Sequence, residues 1–586
     1  MVENLRKLMK ERNIDAYIIT SGDAHASNYF HTYWKLREYV SKFTGSAGTL
    51  VVTHDKAILW TDGRYFLQAE AQLTEFELYK LQVKGFPSIP AFLAKELKKG
   101  GKIGFDGRTV THDWFNKLKA ALADKEPVYA YDEDVAGLLW KDRPPIMPEG
   151  KAFEHEPKFA GTSAPEKLKK VREKMNDKGY KGYLITALDD IAWLLNIRGS
   201  DVSYLPVVYA YVFITENEAH VFASGEKLSD ISAKLTSQGF SLHEYEDLPK
   251  YLQSFNAGKL YYNAEKTNVL LSGMIKCPVE SKSTEDIVLH LKAVKSDVEI
   301  ANTRNAYIRE GVALAKAFKW IDDMKKSGEI ENLHEIDVSK KITEIRARGE
   351  NLLGDGFPTI LGYGPNAALP HYSIEGKGAK LKSEGFLLID TGGMYFDGTT
   401  DTTRTIPLGP LTDEMKKDYT LVLKAHIAMD TVVFISGTTG HALDAIARIT
   451  MWKEGVNFLH GVGHGIGYCL SVHEGPQRIA PIHNPTALQA GMLITNEPAL
   501  YREGKHGIRT ENTVLVVEKE KNEFGEFLQF ETIMYCPINL EAVVPSLLTE
   551  EEKTWLNNYH AKTYEKLSPF LTEEENVWLK EATKAL

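Results

Sequence analysis

Cysteine is scarce in this chain. Cys277, Cys469 and Cys536 are an odd number at wide spacing in 586 residues, which excludes a disulfide framework and any CxxC metal or redox motif. Long apolar runs are missing too: none approaches the roughly 18 residues that a spanning helix needs, so no membrane span is expected. The first twenty residues read as an amphipathic helix running into a strand, without the apolar core and cleavage site of a secretory signal, and a cytoplasmic protein is expected. Positive charge is in deficit, 70 Lys and Arg against 80 Asp and Glu, for a formal net charge of −10. With no basic block and no RNA-binding aromatic motif, nucleic acid is not an expected partner. The chain is 43% apolar and 26% charged, an ordinary globular balance. Its length calls for about three or four domains.

The order of patterns supports that division. A charged helix leading into a buried strand at Leu5 to Thr20 (LRKLMKERN, then DAYIIT) recurs at Leu168 to Thr186 (LKKVREKMNDKGY, then KGYLIT). Further on, Phe43 to Trp60 has a looser counterpart in Asn196 to Phe222, each with a Gly-Ser turn ahead of alternating strands. Two related α/β domains in tandem, 1–150 and 158–295, follow, with a linker in the proline-rich stretch Asp142 to Pro157; chance similarity of two helix-strand units is the alternative. A third domain, 296–545, opens with the capping box Ser296 to Glu299. Ile308, Val312, Ala315 and Phe318 then recur at helical spacing. Short strands, Gly-rich turns and at least two helices give it an α+β pattern. In the tail, 546–586, LTEEEKTWL and LTEEENVWL each place Thr at an N-cap and Glu three residues later.

What chemistry the chain carries lies in the third domain. The stretch GFLLIDTGGMYFDGTTDTTRT reads as a strand ending in Asp390, a turn, and a Thr-rich strand carrying Asp401, so that a hairpin joins two carboxylates. Either Asp alone would pass for a turn former, and Asp397 is left in that role. In FLHGVGHGIGYCLSVHEGP, His460, His464 and His473 alternate with Gly461, Gly463, Gly465 and Gly467. Such glycine density lets the backbone bend closely around a ligand and imidazoles converge. Glu497 follows an apolar strand, while Arg509, Glu511 and Thr513 share a face by period two. Each Glu alone could be solvated or paired with Arg509. Together, Asp390, Asp401, His464, Glu497 and Glu511 form a set of hard oxygen donors with one imidazole and no thiolate, suited to a pair of divalent cations such as Mn²⁺ and to metal-assisted hydrolysis.

The order and spacing of those five residues around HGVGHGIGYCLSVHEGP resemble the pita-bread metallopeptidases, among them methionyl aminopeptidase, prolidase and Xaa-Pro aminopeptidase. SGDAHASNYF, GSAGT, WTDGRYFLQA, TALDDIAWLLNIRGSDV, GPNAALPHY and DGTTDTTRT are especially similar to the three-domain cytosolic form of the last. The resemblance implies a C-terminal pita-bread catalytic domain behind two creatinase-N-like domains. It implies that Asp390 binds one metal, Asp401 and Glu511 bridge two, and His464 and Glu497 complete the second. The ions would share a water acidified to hydroxide, which attacks the bond ahead of proline in short peptides with proline at position two. Glu497 would act as general base, and His473 would steady the oxygen where charge develops. His371 in GPNAALPHY would contact substrate near the scissile bond and assist proton transfer, and His460 and Arg509 would shape the proline pocket. Where the family often has Ile between that Arg and Glu, this chain has Thr510, expected to face away from the metals. A homodimer is implied, with the N-terminal domains capping the site, and Trp60 to Tyr65 belong either to that rim or to a packed strand and turn. Mn²⁺ is the favoured ion, with Co²⁺, Zn²⁺ and Fe²⁺ also accepted by such a ligand set. A prolidase-like dipeptidase is the alternative enzyme. The intact ligands speak against a metal-free creatinase-type enzyme or a binding module that has lost its chemistry.

Overall fold

A computed structural model describes residues 1–586, which divide into two compact units: Met1–Pro157 with Thr162–Leu289, and Lys158–Gly161 with His290–Leu586.

The first unit contains two six-stranded sheets. Across the first run Glu77–Lys80, Ala57–Thr61, Thr49–Thr53, Ala16–Thr20, Lys102–Phe105 and Val128–Ala130. Across the second run Ser241–His243, Ala219–Phe222, Tyr211–Thr215, Gly182–Ile185, Leu260–Tyr262 and Val279–Glu280. In both, the central strand pairs antiparallel with its hairpin neighbour on one side and parallel with the next strand on the other. The helices Val2–Glu11 and Ala164–Asp177 precede the two central strands and bury matching stripes, Leu5 and Met9 in one, Leu168, Val171 and Met175 in the other. Equal order and equal strand senses make the two halves related rather than accidentally alike.

These halves are packed into one unit. The imidazole of His25 reaches from the first half to the Thr186 carbonyl (2.7 Å) and the Tyr245 hydroxyl (2.8 Å) in the second. The proline-rich segment between them is anchored: Phe153–Glu154 pairs with Ile197–Arg198, and Lys227 donates to the Gly150 carbonyl at 3.1 Å. Trp60 is buried against Tyr79 and Phe92 with its indole N–H on the Pro87 carbonyl, so the Trp60 to Tyr65 stretch is a packed strand and turn at that residue.

The second unit opens with the helix Asp297–Ser327, started by the Ser296–Glu299 capping box. Ala315 and Phe318 are buried, while Ile308 and Val312 are half-buried against a cluster of Tyr535, Leu567 and Leu579. That face of the helix is therefore covered by the C-terminal tail. Both tail helices, Glu550–Leu567 and Glu573–Ala582, begin with the reciprocal Thr and Glu caps that their repeated sequence predicts.

Two sheets carry the site. One is three-stranded, in the order Ile360–Tyr363, Phe386–Thr391, Thr402–Pro407. The other is six-stranded, with Asn512–Asn522 beside Leu493–Asn496, then Gly463–Gly465 and Glu474–Ile479. A hairpin of Ala499–Arg502 and His506–Arg509 lies in sequence between the strands Leu493–Asn496 and Asn512–Asn522. The helices Asp413–Asp430 and Gly440–Trp452 join these strands in one apolar core that includes Val422, Leu443, Ile494 and Val514. No helix is long and apolar enough to cross a membrane.

Candidate metal centre

Asp390 sits inside the strand Phe386–Thr391 and pairs with Thr403 on the next strand. Asp401 stands one residue before the strand Thr402–Pro407, at the mouth of the hairpin rather than within it. Between the two Asp residues the chain makes a smaller hairpin, Gly393–Tyr395 with Gly398–Thr399. The turn residue Asp397 there is held by Arg309 and Asn351 and takes no part in the cluster.

Glu511 departs from the single strand expected for 509–513. His506–Arg509 ends one hairpin and Asn512–Asn522 begins the long strand, so Thr510 and Glu511 form the crossing between sheets. Arg509 and Glu511 nevertheless meet at one point, because Thr403 Oγ1 accepts from Arg509 Nε (3.0 Å) and donates to Glu511 Oε2 (2.6 Å). Thr405 supports the same turn, its hydroxyl bonding both the N–H and the carbonyl of Arg509. Asp401, Thr403 and Thr405 share one side of their segment by the period of two.

His464 lies in the strand Gly463–Gly465. Its Nδ1 is 3.0 Å from the Gly465 carbonyl, which can only accept, so the proton is on Nδ1 and the lone pair on Nε2. That Nε2 lies 3.5 Å from both Asp401 Oδ2 and Glu497 Oε1. Glu497 follows the strand Leu493–Asn496 and is fixed by its N–H on the Val462 carbonyl (2.8 Å) and by Thr495 Oγ1 on its Oε1 (3.2 Å). Ligand atoms of Asp401, His464 and Glu511 all fall within 4.8 Å of one another.

Electrostatically the cluster is short of positive charge. Four carboxylates face one guanidinium, that of Arg509, which binds Asp390 Oδ2 at 2.5 Å. Burial raises the pKa of Asp390 and Glu497, and it raises Asp401 and Glu511 well above the ordinary range with help from the neighbouring carboxylates. Two like charges 4 Å apart cost about 4 kcal/mol at an effective dielectric constant near 20, so the ionised set requires cations. Asp390 Oδ1 is buried with no hydrogen-bond partner, an acceptor left open toward them. Donor type, tautomer and open acceptor all fit a divalent metal pair.

The remaining residues border this cluster. His460 donates from Nδ1 to the Gly461 carbonyl (2.8 Å) and so accepts at Nε2 from the Tyr501 hydroxyl (3.0 Å), which in turn accepts from Arg509 Nη1 (2.7 Å). His473 is exposed, its ring 4.3 Å from that of His464. His371 is half-buried and follows Pro370, whose carbonyl takes a bond from Arg509 at 3.4 Å. Thr403, Thr495 and Tyr501 were not singled out from the sequence. Thr403 was open to discovery by its period-two spacing from Asp401; Tyr501 had no such signal.

This geometry and fold define a metal-dependent hydrolase with a pita-bread catalytic domain. The profile of metallopeptidase family M24 matches residues 301–518, and that of its C-terminal region 526–586. Two creatinase/prolidase N-terminal domain profiles match 1–138 and 142–299. The chain belongs to metallopeptidase family M24. It is 38% identical to a probable Xaa-Pro aminopeptidase P of Coprinopsis cinerea, over 97% of this chain and 94% of the relative. It is 37% identical to aminopeptidase P2 of Arabidopsis thaliana, over 97% and 86%. Among solved structures it is similar to X-prolyl aminopeptidase from Caenorhabditis elegans, described as a cytosolic enzyme with a di-nuclear active site, with a TM-score of 0.94 and 34% identity over 100% and 99% of the two chains.

Proposed function

We propose that the protein is a cytoplasmic, homodimeric metalloaminopeptidase that hydrolyses the bond between the first residue of a short peptide and a proline at position two. The observation that carries hydrolysis is the buried cluster of Asp401, His464 and Glu511, with Asp390 and Glu497 beside it. Full-length similarity to proteins named Xaa-Pro aminopeptidase supports the substrate class.

On this reading Asp390, Asp401, His464, Glu497 and Glu511 hold two divalent cations, with Mn²⁺ favoured by the oxygen-rich donor set. When bound, the cations supply a water acid enough to attack at neutral pH. Glu497 Oε1, held by Thr495, takes the proton of the attacking water. His473 donates to the substrate oxygen as charge develops on it, and His371 serves the leaving nitrogen. That nitrogen is the reason for the specificity: a bond ahead of proline has no N–H to offer, so the site holds the ring by shape instead. His460, Tyr501 and Arg509 form one hydrogen-bonded wall beside it.

Purified protein loaded with Mn²⁺ is expected to release arginine from Arg-Pro-Pro, and Asp401→Asn to release none above background. Equal rates would reject the metal mechanism. Cleavage of Xaa-Pro dipeptides alone, with longer peptides untouched, would move the assignment to a dipeptidase.

A further inference from the structure

Outside the metal cluster, the second unit contains a buried group of three charges that the reaction above does not use. Glu474 follows His473 directly in sequence. Its carboxylate lies between Lys295 Nζ, 2.6 Å from Oε1, and Lys292 Nζ, 3.2 Å from Oε2. All three side chains are at most 1% exposed. Two cations against one anion leave a formal positive charge in the interior, where packed apolar side chains would generally be no less stable. Such an arrangement is a weak source of net stability, while it holds its three side chains in one geometry.

What it positions follows from the chain around it. Glu474 opens its strand opposite Gly465, the neighbour of His464, and the loop between runs from Ile466 to His473. That loop folds over the carboxylate. Gly467 donates its N–H to the Ser471 carbonyl, and a Cβ on Gly467 would stand 2.8 Å from Glu474 Oε2, so the loop closes only with glycine there. The hairpin thus built presents His464 and His473 with their rings 4.3 Å apart. Its anchors lie where the chain enters this unit. Lys295 donates its ammonium to the Lys292 carbonyl and its N–H to the Gly491 carbonyl, and Val294 pairs with Met492 beside the strand that leads to Glu497.

We propose that Glu474, clamped between Lys292 and Lys295, is a positioning residue that sets His473 against His464. The inference rests on the peptidase reading above. It is tested on the full-length protein by steady-state kinetics on Arg-Pro-Pro with Mn²⁺ and, separately, by histidine Cε1 resonances of the metal-free protein.

Lys295→Met leaves the neutral Glu474–Lys292 pair and is the variant most able to fold. It is expected to lower kcat at least tenfold with KM changed less than threefold, to move the His464 and His473 resonances, and to leave the metal content at the wild-type value. Glu474→Gln should act in the same direction; if it does not fold, Lys295→Met decides. Lys295→Arg, which keeps the charge and the donor, should recover kcat to within threefold of wild type. A folded Lys295→Met protein with wild-type kcat and unmoved resonances overturns the proposal, whatever its melting temperature. A wild-type protein without activity would instead defeat the peptidase reading, and the resonances would still report on the clamp.

Discussion

Tyr501 shows how a side chain without its own signal in the sequence can tie two recognised residues together. Its hydroxyl accepts from Arg509 and donates to His460, so Tyr501→Phe removes both links and keeps the ring. The neutral bond to His460 is worth about 1 kcal/mol net and the bond from the charged guanidinium of Arg509 about 1.5–3, so the variant should lose at least roughly tenfold in kcat/KM while metal content stays at the wild-type value. Steady-state kinetics beside metal analysis checks this. Asp390, Asp401, His464, Glu497 and Glu511 were legible in the sequence because they stand at the ends of apolar strands or among closely spaced glycines, in a characteristic order and spacing. Thr495 was not, since a threonine beside a carboxylate has the same sequence appearance as one filling a strand. The tautomer of His464 was likewise invisible until the Gly465 carbonyl was in place.

At the level of elements, the helix Glu550–Leu567 reaches the strands behind the metal cluster. Tyr559 accepts from Arg404 Nη2 at 2.7 Å, and Arg404 also donates to Asn512 Oδ1 and to the carbonyls of Thr403, Glu511, Cys536 and Pro537. Tyr559→Phe leaves the buried N–H of Cys536, which donates to the Tyr559 hydroxyl at 3.0 Å, without that acceptor and should destabilise the protein by about 1–3 kcal/mol, read as a lower denaturant midpoint. The same helix contains His560, which accepts from the Ile538 N–H and donates to the Lys584 carbonyl. Burial lowers its pKa to about 4. The unfolded chain, with a histidine near 6.5, takes up the proton first as pH falls, so the stability this neutral histidine provides is lost between about 6.5 and 4. One such group is worth about 3 kcal/mol over that window. Unfolding free energies measured from pH 7 to pH 4 should show the slope, reduced by one proton in His560→Gln. The capping boxes at Ser296, Thr549 and Thr572 were readable because four consecutive residues suffice to make them. The crossing at Thr510 and Glu511 was not, because the alternation runs unbroken through it and only the partner strands reveal that the sheet changes.

For the molecule as a whole, the tail and the metals are both expected to act as parts of one cooperative unit. Removing 546–586 would expose Ile308 and Val312 and strip Arg404 of Tyr559, and the truncated protein should fail to give a cooperative melt. Chelation should lower the melting temperature of the intact protein, and each ion at 100 times its dissociation constant should restore about 2.7 kcal/mol. Calorimetry with and without chelator tests the linkage, and unchanged melting would argue against a site that binds ions at these carboxylates. The sequence by itself determined the repeated helix-strand units and the capped helices and pointed to the five clustered residues, because periodicity, capping and polar residues set against apolar or glycine-rich stretches are local properties. Tertiary structure alone decided that the two related halves form one compact unit, that the tail covers the long helix, and that Thr403 joins Arg509 to Glu511. It also set Glu474 between two lysines far earlier in the chain, Lys292 and Lys295. Those contacts depend on which strands lie side by side, and no spacing along the chain encodes that adjacency.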